Sequence, residues 1–174
     1  MYKLIGTAIV IAAASAIGWV QSASYAARPR QIRQLIVALQ RLETSIVYGH
    51  TPLDDAFEEL GMQLSAPLNT LFAAAASSMK QREALVLTSK EAWHQALNRV
   101  SPETALKHQD IRVLYDLGMS LGISDREDQR NHIRHAIKRL EQEEINARED
   151  YMRYGTLSRS LGLLSGVLVV ILIY

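Results

Sequence analysis

Apolar residues in the middle of the chain recur every three or four positions. Ile32, Leu35, Ile36, Leu39, Leu42 and Ile46 trace one stripe, which predicts a helix with a single buried face. Tyr48, Gly49 and His50 end it. Thr51 suits the N-cap of a second helix and Pro52 its first position. Asp54 and Asp55 then fall in the first turn, where the helix dipole favours anions, and Leu53, Ala56, Phe57 and Leu60 form the buried face. A third helix is expected from near Ser65 and Pro67, with Leu68, Leu71, Phe72 and Ala75 inward and an alanine run at 73–76 suited to close packing. Thr88 and Glu91 have the spacing of a capping box ahead of Trp93, Ala96, Leu97 and Val100. Ser101-Pro102 is expected to open a fifth helix carrying Leu106, Val113, Leu114, Leu117 and Leu121, closed by Gly122. A sixth is expected from near Ser124, running unbroken towards the C terminus. Its Ile133, Ile137, Leu140, Glu144, Ala147, Tyr151 and Tyr154 advance by alternating steps of four and three, a heptad seam interrupted by Glu144. No segment alternates as a half-buried strand would, so the fold class is all-α, a six-helix bundle over residues 28–153.

The two ends differ from this middle. Residues 4–27 carry no charge, and those 24 residues form about 36 Å of helix, enough for a hydrocarbon core of about 30 Å. Residues 1–27 therefore suit an uncleaved transmembrane anchor. A cleaved signal peptide is the alternative, with Ser24 and Ala26 as its small-x-small pair. At the other end, residues 161–174 are apolar but only 14 long. Taking the segment back to 154 lets it span if Arg159 snorkels to the headgroups; a half-inserted tail is the alternative. Ala14, Gly18, Ser22 and Ala26 share one face of the first segment, and Ser158, Gly162 and Gly166 one face of the second. Such small faces allow two antiparallel helices to approach closely in a membrane.

Charge refines the picture. All 18 acidic residues lie between Glu43 and Asp150, and all basic ones except Lys3 and Arg159 lie between Arg28 and Arg153. The middle is thus close to neutral, which argues against nucleic-acid binding by charge. Arg28, Arg30 and Arg33 follow the first apolar segment, and Arg148, Arg153 and Arg159 precede the second. The positive-inside rule then puts the central domain in the cytoplasm and both termini outside. The acidic stretch 141–150 and the basic stretch 28–41 would attract each other if their helices run side by side.

Chemistry of the usual kinds is missing. There is no cysteine, no G-x4-G-K-[ST] or G-x-G-x-x-G loop, and no Ser-centred nucleophile elbow. Asp128 and His132 share a helix face but lack further ligands, so no metal, cofactor or catalytic residue is assigned. Neither apolar segment carries the acid or base of an ion relay, which disfavours transport. A non-enzymatic adaptor remains, with a membrane-anchored enzyme of unfamiliar site as the alternative.

Arg28-Pro29-Arg30-Gln31-Ile32-Arg33-Gln34-Leu35, then Leu42-Glu43 and Tyr48-Gly49-His50-Thr51-Pro52-Leu53, resembles the stage III sporulation protein AB family. So do Leu121-Gly122-Ile123-Ser124-Asp125-Arg126-Glu127-Asp128-Gln129 with His132-Ile133, and the ending Leu161-Gly162-Leu163-Leu164-Ser165-Gly166. The resemblance implies a protein of endospore-forming bacteria in the mother-cell membrane around the forespore, part of a channel or secretion-like complex. It also implies a soluble part similar to the cytoplasmic domain of the type II secretion system F protein. The implied partners are the stage III sporulation protein AA ATPase, other proteins of the channel complex and membrane lipid, with a homo-oligomer open. Two stretches are candidates for partner binding: Tyr48, Gly49, His50, Thr51 and Pro52, and Asp125, Arg126, Glu127 and Asp128. Both also suit plain turn, cap and dipole roles.

Overall fold

A computed structural model describes residues 2–49, 51–81, 87–122 and 125–173, and among them every regular element is helical. The expectations for His50 and Ser124 lie outside the described residues, as do the side chain of Tyr48 and the surroundings of Gly18, Gly162 and Gly166. The chain divides into two compact units, Arg30–Glu144 and the pair of ends Met1–Pro29 with Ile145–Tyr174.

Helix α1 (Tyr2–Thr44) continues through Pro29 and contributes to both units. Within Arg30–Glu144 its stripe is buried as periodicity predicts, from Ile32 to Ile46. The helix then widens into a π-helical turn, Ser45–Gly49, whose exit is fastened by the Thr51 N–H donating to the Ser45 carbonyl at 3.4 Å. A side chain at Gly49 would lie 2.9 Å from the Thr51 hydroxyl oxygen. Thr51 is therefore folded back over Gly49 and does not cap α2 (Leu53–Gln63). Pro52 takes the cap position with no side-chain hydrogen bond, and its carbonyl accepts from Ala56 at 3.0 Å.

Helix α3 (Leu68–Lys80) returns along α2. Their close approach rests on Gly61, where a methyl group would meet Ala73 atoms at 3.0–3.2 Å, so the alanine run packs as its composition suggests. Helix α4 (Ser89–Val100) starts with the expected capping box: the Glu91 N–H donates to Thr88 Oγ1 at 3.2 Å, and the Thr88 N–H donates to Glu91 at 2.8 Å. Trp93 then enters the centre of the bundle. Its ring lies 5.2 Å from Phe57 and 5.5 Å from Phe72, and its indole N–H donates to the Leu114 carbonyl at 2.8 Å. That bond matters because an unpaired buried N–H would cost about 1–3 kcal/mol.

The fifth helix begins later than Ser101-Pro102. Ser101–Glu103 is a single 3-10 turn, and α5 runs His108–Gly118. Side chains divert the chain in between. The Thr104 hydroxyl donates to the Ser101 carbonyl at 2.7 Å and accepts from the Leu106 N–H at 3.3 Å. Gln31 of α1 accepts from the Ala105 N–H at 2.7 Å. These bonds offer the backbone an alternative to helix. The helix restarts where the buried Asp110 carboxylate accepts from the Lys107 N–H at 2.8 Å. Gly122, at φ +76°, closes the following turn, a conformation that favours glycine.

Helix α6 (Arg126–Asp150) is capped by Asp125, whose Oδ1 accepts from the Asp128 N–H at 2.8 Å. Ile133, Ile137, Leu140 and Ala147 of the seam are buried, and the intruding Glu144 pairs with Arg33 at 3.3 Å. The helix is not continuous to the end. A second π-helical turn, Tyr151–Gly155, separates it from α7 (Thr156–Ile173). Within the unit made of the two ends, Arg28 pairs with Asp150 at 3.4 Å, Tyr25 stacks on Tyr154 at 6.0 Å between centroids, and Ser22 lies against Gly155. The attraction expected between the basic and acidic stretches thus takes the form of Arg28–Asp150 and Arg33–Glu144. Among the described residues, no helix is long and apolar enough to cross a membrane.

Candidate functional site

The chain enters the Arg30–Glu144 bundle on α1 and leaves it on α6. The opposite end of that bundle is built from helix starts and turns that are far apart in sequence. Pro52, Leu53 and Asp54 at the start of α2, Met79 near the end of α3, Ser89 at the start of α4 and Gly122 line a pocket of about 230 Å3. Gly122 belongs there because a side chain would lie 2.9 Å from the Ser89 hydroxyl. Arg134 of α6 pairs with Glu43 of α1 at 2.6 Å, which sets the first two turns of α6 level with the Ser45–Gly49 turn. The bundle therefore brings the two candidate stretches, Gly49, Thr51 and Pro52 with Asp125, Arg126, Glu127 and Asp128, to the same end.

Their roles within that end differ. Gly49 and Thr51 shape the exit from α1. Asp125 caps α6, and Glu127 pairs with Arg130 at 2.5 Å, while Asp128 sits in the dipole-favoured first turn. Arg126 is exposed and has neither an ion pair nor a side-chain hydrogen bond among the described residues. Nearby, Lys80 donates to Glu58 at 2.5 Å and to Asp55 at 3.1 Å. These hydrogen bonds, Glu58 first, hold the lysine above its ordinary pKa, so it remains charged at any physiological pH. The Glu91 carboxyl is held below the usual range by the Thr88 N–H and hydroxyl.

The pocket falls below the roughly 300 Å3 at which ligand sites usually begin. A larger open groove of about 930 Å3 lies between α1 and α2, floored by Ala56 and Leu60, but a hydrogen bond from Arg41 to Gln63 crosses it. Among the described residues, no hydrogen bond joins a hydroxyl to a carboxylate lining either cavity. His94 is stacked on Tyr115 at 3.7 Å and bonded to the Tyr115 carbonyl at 3.0 Å, a packing role. Among the described residues, no three His, Asp or Glu side chains converge as a metal site would require, and His132 stands exposed on α6.

Comparison with known proteins settles the kinship. Residues 3–174 match the family described as stage III sporulation protein AB. The chain belongs to the stage III sporulation protein AB family. It is 38% identical over 173 residues to stage III sporulation protein AB of Bacillus subtilis (strain 168), covering 99% of each. It is also similar to a solved structure titled stage III sporulation protein AB, with a TM-score of 0.66 at 42% identity over 72% of this chain and 96% of that one.

Several residues of this family member escaped reading from sequence. Met79 and Ser89 complete the end pocket, yet each resembles ordinary core or N1 residues in sequence. Gly155 was missed against Ser22; its signal was the Tyr-Gly pair that closes both π turns, Tyr48-Gly49 and Tyr154-Gly155. Of the small faces, Ser22 is buried, and Ala14, Ala26 and Ser158 are half-buried.

Proposed function

We propose that this sporulation protein is a non-enzymatic membrane platform of a channel or secretion-like complex between mother cell and forespore. The apolar ends anchor it in the mother-cell membrane with both termini outside. The cytoplasmic bundle, similar to the type II secretion system F domain, presents its far end to the stage III sporulation protein AA ATPase. The observation that carries the docking part of this reading is the convergence of Gly49, Thr51 and Pro52 with the 125–128 helix start at the end away from where the chain enters and leaves the bundle. Anchoring is supported by exposure of the apolar ends. Ile17, Trp19 and Val20 are 71–72% exposed, and Leu161, Leu164, Leu168 and Ile171 are between 59 and 69% exposed. Water disfavours contiguous apolar surface of this kind, and lipid does not.

Co-purification from detergent-solubilised sporulating cells, with mass spectrometry of what is retained, tests the platform. Retention of the ATPase and other membrane components is expected. A chain that sediments with soluble proteins, or retains no protein partner, overturns the reading.

A further inference from the structure

The seam of α6 runs as a heptad through Ile133, Ile137, Leu140 and Ala147, all buried. Continued at α-helical spacing it would pass through Tyr151, Tyr154, Ser158, Leu161, Ser165 and Leu168. The chain departs from that line. Leu161, Ser165 and Leu168 are exposed, Ser158 is half-buried and Tyr154 is 42% exposed beside its stack on Tyr25, whereas Gly155 is buried against Ser22. At about 100° per residue, Leu157, Leu164, Leu168 and Ile171 lie within roughly 40° of the direction opposite Gly155. All four are exposed. The edge of α7 that continues from Gly155 passes instead through positions 162 and 166, both glycines.

The intervening element is the π turn Tyr151–Gly155, and a π turn is an α-helix holding one extra residue. One residue is the offset between the two edges: Tyr154, Leu161 and Ser165 on one, Gly155, Gly162 and Gly166 on the other. We propose that this turn is a register device. It re-phases the C-terminal helix by one position, so that the glycine edge meets α1 and Leu157, Leu164, Leu168 and Ile171 are turned outward. Relaxation of the turn to α geometry would rotate α7 by about 100° and bring the edge of Tyr154, Leu161 and Ser165 to α1 in place of the glycine edge. The branched side chain of Leu161 would then hold the helices apart where glycine allows backbones to approach. The inference goes beyond the platform reading and does not depend on it.

Cross-linking of the full-length chain in detergent tests it directly, because the native sequence has no cysteine. Ser22 faces Gly155 across an antiparallel pair, and seven residues along each helix bring the half-buried Ser15 opposite position 162. Ser15→Cys should cross-link with Gly162→Cys and not with Leu161→Cys. Deleting the exposed Met152 removes the extra residue, so the turn becomes α and the link stays at 162. Inserting one alanine after Met152 should move the link to 161. The proposal is overturned if the unaltered chain links at 161 or at neither position. It is also overturned if the deletion moves the link to Leu163→Cys, or if the insertion leaves it at 162.

Discussion

Gly118 is the point at which the aromatic core admits no further atom. It sits in the last turn of α5, where exchange to alanine would ordinarily gain about 1 kcal/mol of helix propensity. Here the added methyl group would overlap the Trp93 ring at Cδ1 and lie 2.7 Å from His94 Nε2. Trp93 cannot withdraw, because Phe57 and Phe72 back it and its N–H is bonded to the Leu114 carbonyl. His94 is held by its stack on Tyr115. Overpacking of this kind costs about 1–3 kcal/mol, and a shift of Trp93 that broke its hydrogen bond would add about 1 kcal/mol. Clash therefore outweighs propensity, and Gly118→Ala should destabilise the bundle by about 2 kcal/mol. For a domain of this size that is a fall in Tm of roughly 8 °C. The assay is thermal unfolding of residues 28–153, followed by circular dichroism and by the fluorescence of Trp93, the one tryptophan in that span. In a Trp93→Phe background the smaller ring should make the same substitution cheaper, a coupling that a double-mutant cycle reads. An unchanged or raised Tm for Gly118→Ala would refute the reasoning.

Three further outcomes are expected. Residues 28–153 should fold alone as a soluble, strongly helical domain, and circular dichroism with substantial β signal would count against the bundle. Thr88→Ala should cost about 1 kcal/mol in urea unfolding, since it removes the acceptor of the α4 cap. Because the Glu91 carboxyl is held low in the fold, its contribution is present above the unfolded-state pKa and fades as pH falls through the lowered value. Glu91→Gln should therefore flatten part of the acid-side loss of stability, and an unchanged pH profile would remove Glu91 from the account.

What was legible in the sequence was local. The stripe from Ile32 to Ile46 and the Thr88–Glu91 box depend on residues within one helix or one turn, and both stand in the structure. The start of α5 was misplaced because the decisive partner, Gln31, lies 74 residues away. The π turns are hard to read for a different reason: apart from the Tyr-Gly pair that closes each, Tyr151–Gly155 has the composition of a helix, and its extra residue shows only in the fold. The end pocket could not be foreseen either. Its six lining residues come from four separate stretches, and only folding brings them together.

The convergence at the bundle end leaves a sharper question, whether the 125–128 stretch serves a partner or only the helix it begins. Three of its residues are explained by the helix. Asp125 caps it, Glu127 pairs with Arg130, and Asp128 sits where the dipole favours an anion. Arg126 is not explained that way. It is a cation in the first turn, exposed, with no ion pair among the described residues, and the dipole there opposes its charge. Exchange to glutamate should thus stabilise the isolated domain by about 0.5 kcal/mol. If the end of the bundle docks the ATPase, the same Arg126→Glu exchange should weaken its retention in co-purification. A purely structural role predicts stability and retention moving together, whereas a docking role predicts that they move in opposite directions. Retention unchanged, beside a raised Tm, would remove Arg126 from the interface and leave the 125–128 stretch as a helix start alone.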